Sequence, residues 1–138
     1  MTESNRRKKK YLLSYWAARN LIRNYDYQLA ELRAEYASAK SQNLDGMPHA
    51  HNATHDLSDY AARIDKLYAR INKAKSRCVA LRDEITQRIE EMDSNTEKDI
   101  LYNRYINGYR FSDIADMLHY TERHTLRLHG DALTHFKY

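Results

Sequence analysis

The chain has 138 residues, with 23 Lys and Arg against 19 Asp and Glu, one Pro, three Gly and one Cys. That length suits one compact domain, or two small modules if one is elongated. A charge-rich composition poor in Gly and Pro predicts an all-α protein, because Lys, Arg, Glu, Ala and Leu sustain helices that Gly and Pro interrupt. No apolar run of about 18 residues occurs, which excludes a membrane-spanning helix. Arg19, Asn20 and Arg23 interrupt the stretch after the basic start, which leaves no apolar segment of signal-peptide length, so a cytoplasmic location is expected. Cys78 has no intrachain partner for a disulfide. It falls on an apolar helical stripe, and packing is expected of it rather than thiol chemistry, despite its neighbours Arg77 and Arg82.

The formal net charge of +4 is concentrated at the start of the chain, where Arg6, Arg7, Lys8, Lys9 and Lys10 face only Glu3. Acids and bases balance in the rest. Residues 1–10 are therefore read as a basic N-terminal tail, either an auxiliary grip on phosphate through counterion release or a solvated helix start.

From Tyr11 to Ala39 apolar residues recur at alternating spacings of four and three: Tyr11, Tyr15, Ala18, Ile22, Tyr25, Leu29, Leu32, Tyr36 and Ala39. This is a heptad seam. A second seam runs Leu57, Tyr60, Ile64, Leu67, Ile71, Ala74, Cys78, Leu81 and Ile85, reaching Met92 after a polar Arg88. Between them, at about 43–56, Gly46 and Pro48 signal a loop, and Thr54 or Asp56 is placed to cap the next helix. Residues 11–93 are thus predicted to form a long antiparallel, coiled-coil-like hairpin with arms of roughly 30 to 35 residues, about 45 to 50 Å each. Leu12, Trp16, Leu21, Tyr27, Tyr68, Val79 and Ile89 fall outside the seams. They call for a second surface, either the C-terminal module or another copy of the chain, so a homodimer or higher homo-oligomer is expected.

Residues 94–138 read as a three-helix module. Ser94 and Glu97 have capping-box spacing, and the first helix runs to about Asn107 and stops at Gly108. Ser112 is placed to cap a short helix carrying Ile114, Ala115 and Leu118. After a break at His119 and Tyr120, Thr121 caps a last helix that reaches about Phe136. A small residue at a close crossing, an apolar pair one turn apart and a short connection to a freshly capped helix are the requirements of a helix-turn-helix. With Thr125, Leu128, Ala132, Leu133 and Phe136 as the inner face, Glu122, Arg123, His124, Leu126 and Arg127 are left at the outward N-terminal end. Recognition helices read base edges with that end.

From Ile100 to Phe136 the pattern resembles region four of the housekeeping sigma factors. The whole layout resembles phage late-transcription regulators of the ArpU and RinA type. The matching pieces are Tyr11-Leu12-Leu13-Ser14-Tyr15, Gly46-Met47-Pro48, Tyr120-Thr121-Glu122-Arg123-His124 and Arg127-Leu128-His129-Gly130. The resemblance implies a transcription regulator of a phage or prophage, working in a bacterial host, that binds duplex DNA and has RNA polymerase as a further candidate partner. It places Glu122, Arg123, His124, Leu126 and Arg127 toward the major groove, with Arg110 and Thr121 beside phosphate. Two departures stand out. Leu126 occupies a position where a polar contact residue is usual, and Asp131 one where a basic residue is common.

Three other readings have less behind them. His49, His51 and His55 are a sparse zinc set whose fourth ligand would have to be Asp45 or Asp56, so no metal and no cofactor are expected. His119, His124, His129 and His135 are read as lying near phosphate. No nucleophile with a base, phosphate-cradling Gly loop or paired carboxylates is found, so no catalysis is expected. Two rival functions remain. One is a packaging adaptor of the small-terminase kind, which ring-shaped oligomers would favour. The other is an interaction module gripping RNA polymerase or an inhibitor, which would lack salt-dependent retention on random duplex.

Overall fold

The computed structural model describes the backbone of residues 1–43 and 52–138 and the side chains of residues 1–42 and 57–138. The turn residues Gly46 and Pro48 and the histidines His49 and His51 lie outside the described residues, as does the side chain of His55. The fold is all-α. Two long antiparallel helices, α1 (Glu3–Asn43) and α2 (Asn52–Glu90), are followed by a bundle of α3 (Asn95–Tyr105), α4 (Phe111–Leu118) and α5 (Glu122–His135). Both arms are longer than their seams predict. α1 takes in the expected tail from Glu3 onward, and α2 opens at Asn52, ahead of Thr54 and Asp56. No helix among the described residues is long and apolar enough to cross a membrane.

The chain divides into two compact units. The first unit is Arg19–Arg77. Leu29, Leu67 and Ile71 are its buried core, with Tyr25, Leu32, Ile64 and Tyr68 packed against them, so the two seams close on each other as the heptad spacing requires. Tyr36 meets Tyr60 edge-on at 6.5 Å. The Arg33 guanidinium lies 5.0 Å over the ring of Tyr68, so that side chain finds its cover within the unit. Leu21 and Tyr27 stay exposed.

The second unit joins Met1–Ala18 to Cys78–Tyr138. Here Leu12 and Ile89, both outside the seams, are fully buried alongside Ile85, Ile100, Leu101, Ile114, Leu133 and Phe136. Of the extra-seam residues expected to need a second surface, these two find it within their own chain. So does Trp16, whose Cζ2 lies 3.6 Å from where a Cβ on Gly108 would stand. Gly108 has φ +79, and the turn it makes is closed by bonds from the N–H of Asn107 to the Tyr102 carbonyl (3.1 Å) and from that of Tyr109 to the Asn103 carbonyl (3.0 Å). Val79 remains exposed.

The expected caps are only partly used. Ser94 Oγ accepts from the Glu97 N–H at 3.3 Å, but the Glu97 carboxylate turns to His135 and leaves the capping box half made. Ser112 does not cap α4. That helix starts two residues earlier than such a cap would place it, after Arg110, whose side chain makes no capping bond. α4 ends with His119 in the left-handed region (φ 58, ψ 38), its N–H bonding the Asp116 carbonyl at 3.2 Å and that of Tyr120 the Ala115 carbonyl at 2.9 Å. This is a Schellman closure with histidine where glycine is usual. Left-handed backbone costs a side-chain-bearing residue about 1–2 kcal/mol. Replacing His119 with Gly is therefore expected to stabilise the fold by about 1 kcal/mol, seen as a higher Tm in thermal unfolding, whereas His119→Ala lacks that gain.

Candidate nucleic-acid interface

α5 is held along one face, at both ends and in the middle, and what is left over is the candidate site. At its start Thr121 caps the helix as expected: the hydroxyl accepts from the His124 N–H at 3.2 Å, and the Thr125 hydroxyl donates to the Thr121 carbonyl at 3.0 Å. The inner face carries Thr125, Ala132 and Leu133, all fully buried, with Leu128 half-buried, and Phe136, just past the last turn, is fully buried as well. His129 joins them, 5% exposed, and is hydrogen-bonded through Nε2 to the Tyr105 hydroxyl of α3 at 2.8 Å. Its ring also meets Phe111, the first residue of α4, edge-on at 4.8 Å. One imidazole thus ties α5 to both other helices of the bundle.

Burial, reinforced by the positive charges of Lys9 and Arg104, lowers the His129 pKa to about 4, and burial raises that of Tyr105 to about 12. Both groups are held neutral. The expected phosphate neighbour is therefore a structural residue, and His135 is another, with Nδ1 at 2.9 Å from each Glu97 carboxylate oxygen.

The C-terminal end of α5 is secured by α1. The Lys8 ammonium donates to the carbonyls of Leu133 and Thr134, at 2.9 Å each, and Asn5 Nδ2 donates to Thr134 Oγ1 at 3.2 Å. A cation on the last carbonyls of a helix satisfies orphan acceptors and complements the helix dipole. Residues 1–10 are accordingly not a tail. From Glu3 they are helix, with Lys8 committed to the fold, Lys9 half-buried, Arg6 and Arg7 in exposed pairs with Glu3 at 3.9 and 3.5 Å, and Lys10 exposed. Beyond α5, Phe136 and Tyr138 stack on Tyr11 at 6.1 and 4.7 Å, and the Tyr11 hydroxyl donates to Glu84 at 2.7 Å.

Arg104, which sequence reasoning did not single out, braces the approach to α4. Its guanidinium lies 4.5 Å over Phe111 and 5.5 Å over Trp16, and Nη1 donates to the Tyr109 carbonyl at 3.1 Å. Nε is buried without a hydrogen-bond partner, and the two ring faces supply the compensating attraction.

The outward face of α5 carries the residues expected there. Glu122, Arg123 and Arg127 are exposed, and Leu126 is 45% exposed. His124 is half-buried: its Nδ1 accepts from Arg127 Nη2 at 3.1 Å, and its ring meets Tyr120 edge-on at 4.8 Å. It positions Arg127 rather than pointing freely outward. Arg110 is exposed and pairs with Asp113 at 3.3 Å, an exposed bond weak enough to exchange for another anion. Among the described residues no group of three or more His, Cys, Asp or Glu side chains is arranged to hold a metal ion. No protein-family model, no curated protein and no solved structure matches the chain, so the resemblance to sigma region four and to phage regulators rests on the motifs themselves.

The neutral His129 gives the bundle a definite acid response. Its folded pKa of about 4 lies below the ordinary 6.5, so between those values the unfolded chain binds more protons than the folded one. The contribution is complete above pH 6.5 and is lost as pH falls toward 4, on the order of 3 kcal/mol in all. Urea unfolding across this window is expected to show the slope in the wild type. In His129→Leu the slope is reduced, whatever that variant's overall stability.

Proposed function

We propose that this chain is a sequence-specific DNA-binding transcription regulator of the phage or prophage kind, reading duplex DNA with the first two turns of α5. The observation that carries the reading is the division of that helix. Its inner face and last turn are fixed by burial, Tyr105 and Lys8, while Arg123, Leu126 and Arg127 stand outward on adjacent turns. Arg side chains so placed suit bidentate pairing with guanine O6 and N7. α4, the three-residue connection over His119–Thr121 and α5 then act as the helix-turn-helix, with α4 crossing the backbone and Arg110 and Thr121 beside phosphate. Arg6, Arg7 and Lys10 supply auxiliary contacts to phosphate.

The proposal includes self-association through Leu21 and Tyr27, 45% and 68% exposed, as the hairpin's contribution. Sedimentation at tens of micromolar checks this part, and a monomer there removes it.

Selection of bound fragments from random duplex with the purified chain tests the central claim. The expected result is a defined site whose binding weakens with salt. Alanine at Arg123 or at Arg127 is expected to cost about 1–3 kcal/mol of specific affinity each. Full affinity in the double variant rejects the assignment of the reading helix. Failure to retain any duplex at low salt favours instead a module that grips another protein.

A further inference from the structure

The ninth residue of α5 is a glycine in ordinary helical conformation, and no contact among the described residues explains it. Gly130 lies in the interior of a 14-residue helix, where glycine is the poorest former after proline. Its φ is not in the left-handed region, and a Cβ built on it meets nothing within 4 Å. Neither a turn nor a close approach among the described residues calls for it. In contrast, Gly108 has a positive φ and Trp16 close by.

Gly130 follows Leu126 by four residues and Arg127 by three, which puts it on their face one helical turn further along. The next turn of that face is Thr134, whose hydroxyl donates to the Gly130 carbonyl at 3.1 Å and accepts from Asn5. An α-helix with its side chains is about 10–12 Å across and the major groove about 12 Å wide, so a reading helix fits with little clearance. Glycine is the residue that lets backbone come close to a ligand.

Resting on the DNA-binding reading above, we infer that Gly130 is the point of closest approach of the α5 backbone to the sugar-phosphate wall of the groove. Removing its side chain seats Arg123 and Arg127 at base depth. Glycine here weakens the free helix and strengthens the complex, so substitution moves the two in opposite directions.

Gly130→Ala in the full chain tests this, with Asp131→Ala as the control on the neighbouring exposed acid. Thermal unfolding without DNA is expected to show Gly130→Ala a few degrees more stable than the wild type. Titration of the duplex selected by the wild-type chain is expected to show its affinity at least tenfold weaker. Asp131→Ala is expected to bind as tightly as the wild type or more tightly. A lowered Tm for Gly130→Ala, affinity within twofold of wild type, or an equal loss in Asp131→Ala overturns the close approach while leaving DNA binding intact. A wild-type chain that selects no duplex overturns the DNA-binding reading and this inference with it.

Discussion

The Tyr105 hydroxyl and the His129 imidazole meet 2.8 Å apart inside the bundle, and each must remain neutral for the other to stay buried. Burying two polar groups costs less when they satisfy each other, and a bond with a preferred direction also orients what carries it. Apolar contacts alone leave a short helix some freedom to rotate about its axis. A bond from mid-α5 to the end of α3, with Phe111 of α4 edge-on against the same ring, removes that freedom. Which residues of α5 face outward then follows: with His129 and Thr125 inward, Leu126 and Arg127 are outward by helical geometry.

The same helix is held at its end by residues more than a hundred positions away. Lys8 and Asn5 reach the last turn, and Tyr11 stacks on the residues just beyond it. These contacts explain why the basic start of the chain is helical. Lys and Arg are good helix formers, Arg6 and Arg7 pair with Glu3, and Lys8 finds carbonyl acceptors where the α5 dipole is negative. Positive charge that looks like a free polyelectrolyte in the sequence is partly spent on securing α5.

How much of this could be read from the residues depended on the range of the interaction. The seams were legible because Leu29, Leu67 and Ile71 repeat a local period, and the Thr121 cap and the inner face of α5 for the same reason. His129 was not, since periodicity sorts polar residues outward, and its partner is 24 positions away. Its spacing of four from Thr125, on the inner stripe, was the available signal. Spacing alone places Glu97 in a local capping box, and only the fold brings His135, 38 positions on, to compete for its carboxylate. Arg104 has the appearance of a surface cation. Trp16 and Phe111, which bracket it, come from two other helices.

The charge balance of the C-terminal module sharpens what its outward face is suited to do. With six acidic and six basic residues over 94–138, the module generates little net field to hold duplex of arbitrary sequence. Glu122 and Asp131, exposed on α5 itself, oppose indiscriminate contact with phosphate. The cations that remain are placed rather than massed, with Arg127 steadied by His124 and Arg123 one turn back. Under the proposed DNA-binding function, a surface built this way would draw its affinity from a few directed contacts, and their direction depends on the rotation that the Tyr105–His129 bond imposes on α5.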